Sequence, residues 1–139
     1  MGDWVDLLLA FGCQLSAISN EQAMRDFRKF VVWEKAHQLT LDVYKTVKFF
    51  PRDEMFGMIS QMKRSAASIP TNIAEGCGRK SDKDFCPFLI ISFGSANELE
   101  YQVILSKDLE FINADETKAL LTQVEEVKKM LNGLIIKLG

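Results

Sequence analysis

The stretch Gln61-Met62-Lys63-Arg64-Ser65-Ala66-Ala67-Ser68-Ile69-Pro70-Thr71-Asn72-Ile73-Ala74-Glu75-Gly76 sets an apolar helical stripe against a proline. Counting from Ile59, apolar or small side chains recur at Met62, Ala66, Ile69 and Ile73, the 3-4-3-4 spacing of one buried helix face. Pro70 falls on the second half of that stripe. An interior proline removes the hydrogen bond to the carbonyl four residues back and crowds that carbonyl, at a cost of about 3 kcal/mol. A surface helix has no use for such a residue, whereas a kink can shape a helix against its neighbours. Ser65 and Ser68 are the expected local donors to the carbonyls set free.

Upstream, Trp33, Ala36, Thr40, Val43, Val47 and Phe50 step 3-4-3-4-3 and predict a helix over about Val32–Phe49, stopped by Pro51. Asp53 is the expected N-cap of the second helix, about Glu54–Gly76, with Gly76 and Gly78 as its stop. The start of the third helix meets a conflict. With Ser81 as cap, Pro87 falls beyond the first turn; a start at Asp84 keeps it inside, so a late or bent start is expected. This helix runs to about Leu109, and its small residues Gly94, Ser95 and Ala96 predict the close approach of another backbone. Asn113 with Glu116 resembles a capping box for a fourth helix, whose seam Leu120, Val124, Val127, Leu131, Leu134 and Leu138 steps 4-3-4-3-4. Four helices with short connections predict an all-α, antiparallel up-down-up-down four-helix bundle with a proline-kinked second helix.

That bundle is assigned to residues 24–139. Residues 1–23 form an N-terminal extension in which Trp4, Leu7, Leu8, Phe11, Leu15 and Ile18 predict one further amphipathic helix. Two explanations stand for it: an extra helix that packs on the bundle or an oligomer, or an upstream reading ahead of a natural start at Met24-Arg25-Asp26-Phe27. The second is slightly preferred.

The same stretch, with Phe27-Arg28-Lys29-Phe30-Val31-Val32-Trp33-Glu34-Lys35-Ala36 before it and Phe93-Gly94-Ser95-Ala96-Asn97-Glu98-Leu99-Glu100 after it, resembles the 23S rRNA intervening-sequence protein family. The likeness extends in order over roughly residues 27 to 137. A related branch of that family is the accessory variability determinant of diversity-generating retroelements. The resemblance implies small four-helix-bundle subunits, no defined enzymatic role, and a homopentameric ring. It also marks Arg64, Pro70, Asn72, Glu75 and Gly76, with Gly94, Ser95 and Glu98 on the third helix, as motif positions. Physically, Asn72 can bond backbone groups freed near Pro70, and Arg64 can pair with Glu98 or Glu100 to fix register between helices.

Composition limits the chemistry. Nearly half the chain (47%) is apolar, so a single core can form, and net charge is −2, so no global basic field draws the protein to nucleic acid. Setting aside Asp3, Asp6 and Glu21 leaves 17 basic against 16 acidic residues. Local clusters are the better candidates: Lys63, Arg64, Arg79, Lys80 and Lys83 as a nucleic-acid-binding group that neutralises phosphates, and Arg25, Arg28, Lys29 and Lys35 as a second group. Acidic Glu75, Asp82 and Asp84 dilute the first of these. Relatives in the retroelement branch are strongly basic and bind RNA with a reverse transcriptase; this chain departs from them in charge and at Cys86 and Pro87. Cys13, Cys77 and Cys86 lack metal or disulfide spacing, which fits a reducing cytoplasm. No apolar run reaches the ~20 residues of a membrane helix.

His37 with Glu34 forms one Glu-x-x-His, half of what a di-iron bundle needs, so no metal, cofactor or catalytic residue is assigned. Many apolar residues lie off the main seams, including Phe30, Val31, Leu41, Phe49, Ile90, Ile91, Ile104, Ile135 and Ile136, and they predict self-association. The expected function is a non-enzymatic, self-assembling scaffold or adaptor that touches RNA or an RNA-handling partner. A pure protein–protein module is the alternative, and a metal-dependent bundle enzyme is the third reading.

Overall fold

A computed structural model describes residues 25–139; the predicted helix at residues 3–18 lies outside them. The described chain is all-helical, with four long helices: α1 (Val31–Val47), α2 (Ser60–Cys77), α3 (Asp82–Asp108) and α4 (Ala114–Leu138). α1 and α3 each pack against both α2 and α4, which puts α1 and α3 on diagonal corners of the bundle. Buried residues from all four helices meet in one core, with Phe50 and Ile112 closing it from the connections.

α1 starts after a single 3-10 turn, Phe27–Lys29, whose cap Asp26 accepts from the Arg28 N–H at 3.0 Å. It buries Val32, Ala36, Leu39, Val43 and Val47. The expected stripe therefore holds at four positions, Ala36, Val43, Val47 and Phe50, and rotates at two: Trp33 and Thr40 are half-buried, and Val32 and Leu39 take the interior.

The start of α2 differs from expectation. Arg52–Glu54 form a 3-10 turn and Met55–Ile59 a π-turn before the α-helix begins at Ser60. The cap is Glu54, not Asp53; its carboxylate accepts from the Met58 N–H at 3.1 Å. Gly57, at φ −105 and ψ −112, breaks the helical path inside the second of these turns. The core face of α2 is as the spacing predicts: Met62, Ala66, Ile69 and Ile73 are fully buried. Gly76 does not stop the helix. It lies inside α2, where a Cβ would come within 2.7 Å of the Phe88 Cβ, so this glycine lets α2 and α3 touch. Gly78 caps the helix, its N–H bonding the Glu75 carbonyl at 3.1 Å.

Neither Ser65 nor Ser68 relieves Pro70. The carbonyl robbed of its donor is that of Ala66, and Thr40 Oγ1 on α1 lies 3.0 Å from it and 2.8 Å from the Ala36 carbonyl. α1 thus repairs the gap that the proline opens in α2.

α3 does not start late. Ser81 caps it, accepting from the Asp84 N–H at 3.1 Å, and Pro87 sits in the second turn. The carbonyl that Pro87 leaves without its helical donor belongs to Lys83, an exposed residue near the start of the helix. At its far end Glu110 adopts φ 63; Phe111 N–H bonds Ser106 O at 2.8 Å and Glu110 N–H bonds Lys107 O at 2.9 Å, a Schellman closure. Asn113 then caps α4 by accepting from the Glu116 N–H at 2.8 Å. α4 buries Thr117, Leu120, Val124, Val127 and Leu131, while Leu134 and Leu138 pack half-buried at the end of the same seam.

Candidate functional site

The motif positions build a seam of polar stitches between α2 and α3. Arg64 Nη2 lies 2.6 Å from Glu98 Oε1 and 2.7 Å from Gln61 Oε1. The Ser68 and Ser95 hydroxyls are 2.8 Å apart, and Asn72 Nδ2 donates to the Ser68 carbonyl at 2.8 Å and to its hydroxyl at 3.0 Å. Deeper in the interface, Ser92 Oγ donates to the Ile69 carbonyl at 2.9 Å, and Ser65 Oγ to Gln102 Oε1 at 2.5 Å. Ser106 Oγ donates to the Gln102 carbonyl at 2.7 Å. No buried side-chain polar atom of the described residues is left without a partner. Such a satisfied seam sets one register for the α2–α3 pair. The sequence carries no sign of buried Gln102 and marks Thr40 only as a stripe position, not as a donor, since each finds its partner on another helix. Glu75 and Gly94 are exposed, and Gly94 has open space where its Cβ would stand. The close approach expected at Gly94 is not made among the described residues.

The five cations proposed to face nucleic acid divide into two places. Lys63 lies over the Tyr44 ring at 5.1 Å, and Arg64 is engaged by Glu98. Arg79 is fifteen residues further along, about 20 Å on a helical rise. There Arg79 covers the Phe88 ring at 4.5 Å, while Lys80 and Lys83 are exposed and pair with no acid of the described residues.

The structure compensates by bringing part of the second basic group to this corner. Arg25 Nη1 donates to the Arg79 carbonyl at 3.0 Å, its other nitrogen pairs with Asp82, and its guanidinium lies 4.8 Å from the Phe85 ring centre. Arg28 and Lys29 follow on the adjacent turn, both exposed. Lys35 is not part of it and pairs with Glu126 at 3.3 Å. The corner therefore collects Arg25, Arg28, Lys29, Arg79, Lys80 and Lys83 around Asp26, Glu75, Asp82 and Asp84, a local surplus of cations that contiguous sequence does not show.

Elsewhere the chemistry is sparse. His37 is exposed and stacks on Trp33 at 5.1 Å and 7°. Among the described residues no three His, Cys, Asp or Glu side chains gather as metal ligands would. Cys77 is buried beside Arg25 and Asp26, and desolvation pushes its thiol up to about 11 despite the opposing pull of Arg25. A thiol so placed is a poor nucleophile at neutral pH. No helix of the described residues is long and apolar enough to cross a membrane.

Two apolar surfaces are open. Phe49, Met55 and Phe56 project from the α1–α2 connection, the two phenylalanines 84% and 92% exposed, which is unusual for side chains of this size. The outer side of α3 exposes Ile90, Ile91, Tyr101 and Ile104.

The family described as 23S rRNA-intervening sequence protein matches residues 28–133. A crystal structure of a protein of unknown function from the S23 ribosomal protein family of Bacteroides thetaiotaomicron is similar to this chain, with 30% identity and a TM-score of 0.69. The similarity covers 76% of this chain and 98% of that one. No curated protein matches.

Proposed function

The chain belongs to the 23S rRNA-intervening sequence protein family, and from that premise we propose that it is a self-assembling helical scaffold, not an enzyme, whose basic corner contacts RNA. The observation that carries the reading is the amount of apolar surface the single subunit leaves open. Phe49, Phe56, Ile90, Ile91, Tyr101 and Ile104 are all at least two-fifths exposed. Patches of this kind mark association surfaces. The cations at the α2–α3 corner support the RNA part, because phosphate neutralisation needs positive charge without a sequence-reading groove. One corner alone is a weak binder, and copies held in an array multiply it through effective concentration. A fivefold ring is the assembly that the family resemblance suggests, and a reducing cytoplasm is the proposed setting.

The test joins two measurements. Light scattering at micromolar concentration is expected to give a mass above one subunit. Titration with a structured RNA is expected to weaken as salt rises, and Lys80→Glu with Lys83→Glu is expected to flatten that slope. A monomer overturns the scaffold reading. Assembly with no salt-dependent RNA binding supports the second reading, a pure protein–protein module, which the net charge of −2 favours.

A further inference from the structure

The groove between α1 and α2 has small side chains on one wall and rings on the other. Ala67, Pro70, Thr71 and Ala74 line it from α2, so no long side chain of that helix fills it. Opposite them stand Phe27, Trp33 and His37, and the walls enclose a cavity of about 340 Å³. The Trp33 and His37 rings lie nearly parallel, 7° apart with centres at 5.1 Å, and Phe27 tilts against Trp33 at 4.9 Å. His37 is exposed, so among the described residues the stack ends on a ring that a third planar group can reach.

The groove continues past Phe27. That ring and Ala74 also line a second cavity of about 380 Å³, which extends to Arg25, Arg28 and Cys77. Each volume falls in the range of ~300–1,000 Å³ typical of small-ligand sites. One end of the groove is therefore aromatic, and the other opens on the basic corner. The Arg28 guanidinium lies 5.1 Å from the centre of the Phe27 ring, with exposed Lys29 beside it in sequence. Among the described residues Asp26 is the one acid lining either cavity. Its carboxylate is already engaged by the Arg28 N–H at 3.0 Å and stands 3.9 Å from Arg28 Nη1. An apolar segment would use the rings and gain nothing from the cations. A duplex would use the cations, but its bases are hidden from the rings. A strand with unpaired bases uses both.

We propose that this groove is a single-stranded RNA site, in which an unpaired base extends the Trp33–His37 stack and the adjoining phosphates lie along Arg28, Lys29 and the basic corner. The inference rests on the RNA-contact reading and names the form of RNA that is gripped and the part of it that is held. Stacking of this kind accepts any base, because every base has a π-face. It asks nothing of the sequence and nothing of the number of subunits, so each copy in a ring carries one such site.

Oligoadenylate, alone or paired with oligouridylate, tests it on the full chain. Phosphate contacts by themselves favour the denser charge of the duplex, whereas stacking needs free bases. The single strand is expected to bind about tenfold tighter than the duplex. Trp33→Leu keeps apolar bulk and removes the large ring, and His37→Ala changes an exposed position. Each is expected to weaken the single strand about tenfold while the slope of affinity against salt stays that of the parent. Circular dichroism and light scattering check that fold and assembly are unchanged in both variants. In a Trp4→Phe background Trp33 is the one remaining tryptophan, and its emission is expected to be quenched as the strand saturates. Three results overturn the inference and leave the RNA-contact reading standing: a duplex bound as tightly as the single strand, both ring variants binding like the parent, or Trp33 emission unmoved at saturation, which would mean that another part of the chain or a second copy fills the groove. Failure to bind RNA in any form, structured RNA included, overturns both.

Discussion

Thr40 carries one hydroxyl proton and has two carbonyls within reach, but only one of them needs it. The Ala36 carbonyl is the ordinary i−4 acceptor of the Thr40 N–H, whereas the Ala66 carbonyl has lost its helical donor to Pro70. Thr40→Val keeps the shape and removes the donor, so it is expected to destabilise by about 1–2 kcal/mol. In a Pro70→Ala background a backbone N–H is present again to bond the Ala66 carbonyl, and most of that loss is expected to vanish. Urea unfolding of the four-member cycle measures the difference, and equal losses in both backgrounds would refute the assignment. Cys77 makes a second residue-scale prediction. Burial raises its thiol from 9.0 to about 11. As pH rises between those values, the unfolded chain sheds the proton while the folded chain holds it. Stability from this group is therefore full below pH 9 and declines as pH climbs through 11. The reading is the difference in alkaline unfolding between the parent and Cys77→Ala, whose profile should lack this component. Little of this was legible from one residue at a time. Pro70 announced a missing hydrogen bond, but the donor lay on another helix, 26 residues from the carbonyl that needed it.

The helices themselves were largely legible, because burial imposes its period on each of them, and the departures sit at their ends. A π-turn ahead of α2 depends on Glu54 reaching the Met58 N–H, a contact that periodicity does not encode. Gly76 looked like a stop because glycine often ends helices, yet here its missing side chain serves packing. Gly76→Ala would gain about 1 kcal/mol of helix propensity but meets Phe88 at 2.7 Å. A net loss of about 1–3 kcal/mol is expected, seen as a lower melting temperature. The close of α3 offers the opposite sign. Glu110 occupies the left-handed position of the Schellman turn, at a conformational cost of about 1 kcal/mol for a residue with a side chain. Glu110→Gly is expected to stabilise by up to about 1 kcal/mol, measured as a higher denaturant midpoint with an unchanged slope.

At the scale of the molecule, the four-helix arrangement follows from short connections and one apolar seam per helix. The candidate surfaces do not follow so directly. The cations at the α2–α3 corner come from two segments about fifty residues apart, and the expected partners Lys63 and Arg64 stand some 20 Å away along α2, roughly fifteen residues of helical rise. Charge in sequence order is thus a poor map of charge in space, while the exposed apolar residues Ile90, Ile91, Tyr101 and Ile104 all come from one helix. The seam of Ser65, Ser68, Ser92, Ser95 and Gln102 has one more result. It ties α2 to α3 by several directional bonds, whereas α1 is held to α2 by apolar contact, the Lys63 ammonium over the Tyr44 ring and the hydrogen bond from Thr40. The α2–α3 hairpin should therefore behave as the last unit to open: amide deuteration is expected to spare its centre after α1 has exchanged, and simultaneous exchange of both would contradict that order. A chain emerging from the ribosome would complete this hairpin before α4 exists, leaving the final helix to arrive as a latch on a fold already half decided.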